Sequence, residues 1–133
     1  MKNLKIYGIG TDIVEVPRIK DAILKYTGFR ERIYTAGEIS YCENKKNPSA
    51  KYISYAQRFA AKEAVAKALG TGLGKHVFFR EIEVINLDSG KPEVDIYGKS
   101  KNFCCDNSIA EILVSLTGTK NYAAAFAIAI KNI

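Results

Sequence analysis

Asp12 and Glu63 are the residues from which chemistry can first be argued. Glu63 lies in RFAAKEAVAKALGTG (58–72), an alanine-rich stretch with helical spacing. One turn away stand Phe59 and Ala60 on one side and Ala66 and Lys67 on the other, so the carboxylate projects from a mostly apolar arc. A carboxylate alone in that setting is costly, and it needs Lys67, a metal ion or a proton to stay there. Asp12, between Thr11 and Ile13, either caps a turn or asks for compensating charge of its own. Two such carboxylates brought together suit Mg²⁺, which takes one or two protein carboxylates, keeps waters and binds phosphate oxygens, whereas Ca²⁺ wants a more crowded oxygen cage. Arg58, Lys62 and Lys67 would neutralise the remaining phosphate charge. The chemistry that follows is phosphoryl or pyrophosphate transfer, with a metal lowering the pKa of a bound water or hydroxyl.

Other routes to catalysis have little material. Gly70, Gly72 and Gly74 let backbone amides approach a ligand, yet this loop follows a helix instead of preceding one, so the helix dipole lends it no help with anions. There is no P-loop, no His and Cys cluster for zinc, and one histidine, His76, which reads as a surface or loop residue. Cys42, Cys104 and Cys105 fit no disulfide framework and read as reduced thiols.

The elements that must position the two carboxylates can be laid out in order. LKIYGIGTDIV (4–14) reads as a strand in which Gly8 and Gly10 mark a bulge or a close backbone approach. Pro17 opens a helix whose stripe is Ile19, Ala22, Ile23 and Tyr26, ending at Thr27-Gly28. Arg18 and Lys25 lie off that stripe, and Arg30 and Arg32 follow it. Thr35 to Glu38 has capping-box spacing and starts a short helix to about Asn44. A long helix runs from about Ser49 to Leu69 and closes at Gly70. EIEVINL and EVDIY form a hairpin across DSGKP, 98–108 is a helix or irregular crossover, and Ile109–Thr117 pairs with Tyr122–Lys131 across Gly118 to Asn121. The second half is expected to form an antiparallel sheet, and the alanines of YAAAFAIAI would let the long helix pack closely on it.

With 133 residues, 47% apolar and 26% charged, the chain suits one domain of an ordinary globular kind. Twenty Lys and Arg against fourteen Asp and Glu give +6, which favours an anionic partner. The longest apolar run, Tyr122 to Ile130, is far short of the roughly 20 residues a membrane span needs, and 1–12 carries no signal-peptide run. A cytoplasmic protein without membrane partners is therefore expected. Nucleic acid is disfavoured because the aromatics are not interleaved with the basic residues.

GIGTDIVEVPRI (8–19), RFAAKEAVAKALGTGLG (58–74), GKP (90–92) and VSLTGTKNYAAA (114–125) together resemble the small bacterial 4′-phosphopantetheinyl transferases of the holo-[acyl-carrier-protein] synthase type, over nearly the whole chain. The resemblance implies an α+β fold, an antiparallel β-sheet packed against a long α-helix with additional short helices, in a single domain over 1–133. It implies Mg²⁺-dependent transfer of the 4′-phosphopantetheine group from coenzyme A to a serine of apo-acyl carrier protein, releasing adenosine 3′,5′-bisphosphate, for fatty acid biosynthesis. Asp12 and Glu63 would be the metal ligands, and Lys67 would act with them by steadying the transferred phosphate. Coenzyme A would also meet Arg58, Lys62, Gly70 and Gly72, together with Pro92 and Thr117. Arg18, with Lys25 and Arg30, would receive the acidic carrier protein, and the enzyme would be a homotrimer with sites between subunits. One position departs: where these proteins usually carry histidine in S-x-S/T-H-T, this chain has Gly118, leaving Thr117, Thr119 or a backbone amide to substitute. The rival reading is a noncatalytic module that binds acidic protein or nucleotide, with Glu63 merely paired to Lys67.

Overall fold

A computed structural model describes residues 3–133. Strand β1 (Leu4–Glu15) leads into helices α1 (Val16–Lys25), α2 (Phe29–Ile33) and α3 (Ala36–Glu43), then the long α4 (Pro48–Leu69). After a 3₁₀ turn at Phe79–Glu81 come β2 (Ile82–Asn86), β3 (Pro92–Ile96), helix α5 (Gly98–Asp106), β4 (Ile109–Gly118) and β5 (Tyr122–Asn132).

The antiparallel sheet that carries α4 has the order β1-β5-β4. On β5 the inward residues Ala123, Ala125, Ala127 and Ala129 are all buried; the last three share a core cluster with Ala60, Ala61, Ala64 and Ala68 of α4, and Ala123 shares one with Ala56. Alanine is a poor strand former, but small side chains on both surfaces let sheet and helix approach closely, and tertiary packing overrides the propensity. The approach is tightest at β1. A Cβ on Gly8 would collide with the carbonyl oxygen of Ala68, and one on Gly10 with that of Ala64. Neither glycine has a positive φ, so both are there for proximity. The register also shifts between Ile6 and Gly8, so the bulge and the close approach coexist.

The helix ends follow local chemistry. Asn47 Oδ1 accepts from the amides of Ser49 and Ala50, Pro48 occupies the first turn, and Gly70 closes α4 at φ 79°. The capping box at α3 forms as expected, with Glu38 N donating to Thr35 Oγ1 at 3.2 Å and Thr35 N donating to Glu38 Oε1 at 2.9 Å.

Three details differ from the sequence reading. Helix α1 stops at Lys25, so Tyr26 is extended and 63% exposed instead of joining the buried stripe. Residues 29–33 form α2, a five-residue helix too short to show a periodic pattern. The β2–β3 hairpin is a separate two-stranded sheet. Its outer edge is already occupied: Val84 N donates to Glu38 Oε2 at 2.9 Å, and Lys62 Nζ donates to Ile82 O at 2.5 Å. Side chains from α3 and α4 thus take the hydrogen bonds another strand would have made.

Lys62, expected to meet coenzyme A, consequently has no free donor to offer a phosphate. It is fully buried, and its ammonium is committed to Glu38 Oε1 at 2.6 Å, Phe79 O at 2.9 Å and the Ile82 carbonyl. All its donors are used. Burial pushes its pKa down and Glu38 opposes that shift. Removing one partner of such a pair leaves an uncompensated buried charge, so Lys62→Met is expected to lose about 3–5 kcal/mol in urea unfolding. A loss below about 1 kcal/mol, the range of exposed pairs, would contradict the burial.

Candidate functional site

The tight seat of β1 on α4 brings Asp12, Glu63 and Lys67 together. Asp12 lies on the inner face of β1, opposite Ala125 of β5, with a side chain 17% exposed. Lys67, in the last turn of α4, donates to Thr11 O at 2.9 Å and to Asp12 Oδ1 at 3.2 Å. This cross-element bond stands where the rival, noncatalytic reading supposed an i, i+4 pair with Glu63. Among the described residues Glu63 belongs to no ion pair. The premise of a purely structural Glu63, its pairing with Lys67, is therefore not met.

The electrostatics match that geometry. Burial raises the Glu63 pKa above its ordinary value, the negative charge of Asp12 adds to the rise, and Lys67 opposes it. A half-buried carboxylate next to a second carboxylate favours a proton or an added cation. Lys67, 52% exposed, keeps one ammonium donor beyond its two bonds.

Arg58 and Pro92 sit elsewhere, lining a cavity of about 330 Å³ shared by α3, α4 and the β2–β3 hairpin. Arg58 is buried over the Tyr41 ring, its guanidinium 4.2 Å from the ring centroid. Its Nη1 donates to Ser54 Oγ at 3.0 Å and its Nη2 to Asn86 Oδ1, while its Nε has no partner. Neither Asp12, Glu63 nor Lys67 lines this cavity. Thr117 is exposed on the outer face of β4, whereas Gly118 faces α4. Gly70 and Gly72 adopt left-handed φ just after α4 and line neither cavity described here. His76 stacks on Phe103 at 5.5 Å between centroids, apart from both places, as its reading as a loop residue anticipated.

The cationic residues also divide. Arg18 borders an apolar groove of about 480 Å³ lined by Ile13, Val14, Ile19, Phe29 and Phe59. Asp12, Glu63 and Lys67 are not among its lining residues. Arg18 and Lys25 are exposed and in no ion pair among the described residues. Arg30 instead bonds Glu31 and Glu43, each at 3.3 Å. Sequence reasoning missed Tyr41, Gln57 and Asn86 in the Arg58 cavity. The one available signal was the polar Gln57 immediately before Arg58.

Comparison with known proteins identifies the family of the chain. A family model described as the 4′-phosphopantetheinyl transferase superfamily matches residues 8–127. The holo-[acyl-carrier-protein] synthase of Ruminiclostridium cellulolyticum is 50% identical over 121 residues, 90% of this chain and 89% of that protein. That of Chlamydia trachomatis serovar L2 is 43% identical, covering 93% of this chain and 99% of the relative. Among solved structures, the Bacillus anthracis synthase in complex with CoA (3′,5′-ADP) superposes with a TM-score of 0.79 at 37% identity, over 95% of this chain and 97% of that one. The Plasmodium yoelii holo-ACP-synthase gives 0.84 at 32% identity, over 98% of each chain.

A carboxyl whose pKa is raised on folding contributes stability at acid pH and loses it as pH climbs through the folded value. Glu63 therefore lowers the stability of metal-free protein near neutrality. Glu63→Gln is expected to melt at a higher temperature than wild type in chelator at neutral pH, with the gap closing as pH falls into the ordinary carboxylate range. Identical pH dependence of the two melting curves would contradict the described environment of Glu63.

Proposed function

The chain belongs to the 4′-phosphopantetheinyl transferase superfamily, and from this we propose that Asp12, Glu63 and Lys67 form its reaction centre. The activity is that of a holo-[acyl-carrier-protein] synthase: the 4′-phosphopantetheine arm passes from coenzyme A to a serine of apo-acyl carrier protein. The observation that carries the assignment of the centre is the Glu63 carboxylate, half-buried beside Asp12 with no cation of its own.

Asp12 and Glu63 would hold Mg²⁺. The donor set fits, because it is two neighbouring carboxylates, one of them half-buried and without an ion pair among the described residues. That suits an ion which completes its shell with water and substrate oxygens. When bound, the ion supplies charge neutralisation on the pyrophosphate. The chain's own groups do the rest. The serine Oγ forms a bond to the phosphorus that carries pantetheine, the bond from that phosphorus to the bridging oxygen breaks, and adenosine 3′,5′-bisphosphate departs. The serine proton passes to a carboxylate of the pair. The spare donor of Lys67 steadies the transferred phosphate where negative charge gathers.

The apolar groove edged by Arg18, with Lys25 near the end of the same helix, takes the carrier protein. Complementary charge there speeds and orients encounter with an acidic partner. Arg58 and Pro92 bind the nucleotide end of coenzyme A. Because their cavity does not include the carboxylates, a complete site is assembled from two copies in a homotrimer, which the uncovered outer face of β1-β5-β4 supports. There Ile9, Ile13, Leu113 and Phe126 are 40–66% exposed, more apolar surface than a lone subunit usually leaves in water. The three free cysteines suit the reducing cytoplasm.

Incubation with coenzyme A, Mg²⁺ and an apo-acyl carrier protein, followed by intact mass of the carrier, tests the reading. The carrier is expected to gain the phosphopantetheine mass with wild type, and the rate to fall at least about a hundredfold with Glu63→Gln. No added mass across several carriers would overturn the activity. Full activity of Glu63→Gln would overturn only the assignment of the centre.

A further inference from the structure

We propose that Gln57 is a specificity-determining contact for the nucleotide end of coenzyme A, and that position 118 is glycine because a side chain there would evict the Gln57 carboxamide. This rests on the reading of coenzyme A as substrate and of the Arg58 cavity as its nucleotide end.

The backbone at Gly118 does not require glycine, since its φ is not in the left-handed region. The space does. A Cβ on residue 118 would stand 2.6 Å from Ile53 Cγ2 and 2.9 Å from Gln57 Nε2, both closer than side-chain carbons tolerate. Gly118 at the end of β4 and Gln57 on α4 are thus fitted to one another, and only one of the two positions can send a side chain into this gap.

Gln57 brings chemistry to that gap. Its amide offers two donors and an acceptor, and it is half-buried along the cavity without any hydrogen bond among the described residues. Its amide atoms reach solvent, so a ligand can take the place of water on them. The rest of the cavity says which kind. Arg58, only 2% exposed, has its Nε unpartnered and no carboxylate pair, and Lys45 stands at the same wall. No acidic residue lines the cavity, so its two cations are balanced by nothing the lining provides. Buried cationic donors want an anion such as a phosphate, and a neutral amide beside them suits a ligand that carries both phosphate and hydrogen-bonding edges. A phosphorylated nucleoside has both. Gln57 thereby approaches that ligand from the helix, on the side where Gly118 leaves room.

The test is a double-mutant cycle read by calorimetric binding of adenosine 3′,5′-bisphosphate, with KM for coenzyme A measured alongside. Gln57→Ala is expected to weaken binding about tenfold, with the loss falling on KM. Gly118→Ala is expected to weaken it by a similar factor, because its methyl displaces the carboxamide, and the double variant is expected to bind no worse than Gln57→Ala alone. If Gly118→Ala fails to fold, Gln57→Glu serves instead: a carboxylate beside Arg58 is expected to bind the bisphosphate more weakly than alanine does. Unchanged affinity in Gln57→Ala, or losses that multiply in the double variant, would overturn the role of Gln57 while leaving the wild-type reaction intact. Wild-type protein that neither binds the bisphosphate nor modifies a carrier would overturn the substrate reading itself.

Discussion

β1 lies against α4 so closely that the backbone oxygens of Ala64 and Ala68 fill the space where side chains at Gly8 and Gly10 would stand. The candidate centre depends on that contact. A larger residue at either glycine would lift the strand from the helix, and Asp12, two residues beyond Gly10, would move away from Glu63 and Lys67. The alanine-lined faces of β5 and α4 serve the same end, since they hold sheet and helix at short range along their shared length. Close packing of this sort tolerates little change in volume.

The charged residues of α4 are divided by the direction in which the helix presents them. Lys62 points into the β2 side and is spent on structure, closing a strand edge together with Glu38. Arg58 points toward the β2–β3 turn and is left with an unpartnered Nε. Glu63 and Lys67 point toward β1, where Lys67 crosses to Asp12 and offsets the charge of Glu63 without forming an ion pair with it. Three cations that look interchangeable in RFAAKEAVAK therefore have different duties. One buried pair can be fully satisfied within the protein, while the remaining imperfectly matched groups are the ones available to a ligand.

Much of this was legible beforehand, for physical reasons. Gly8 and Gly10 within a β-branched run announced a bulge or a close approach, and both are present. The capping box at Thr35 and the closing glycine at 70 marked helix ends because backbone hydrogen bonds must be satisfied locally. The direction in which Glu63 and Lys67 face could not be read from one-turn spacing alone: that spacing favoured a bond between them, and only the nearness of β1 gives Lys67 a better partner. Burial of Lys62 was likewise hidden, because it depends on Glu38 and two carbonyls supplied from distant parts of the chain. The pairing of Gly118 with Gln57 joins positions far apart in sequence, and no local pattern carries it.

The central claim is that Glu63, which has no ion pair among the described residues, and Asp12 make one divalent-cation site that coenzyme A completes. Electron paramagnetic resonance of Mn²⁺, titrated into the protein with coenzyme A present, measures this directly. Wild-type protein is expected to take up Mn²⁺, and Glu63→Gln, folded by circular dichroism, to lose most of that binding. Equal Mn²⁺ uptake by the two proteins would contradict the account.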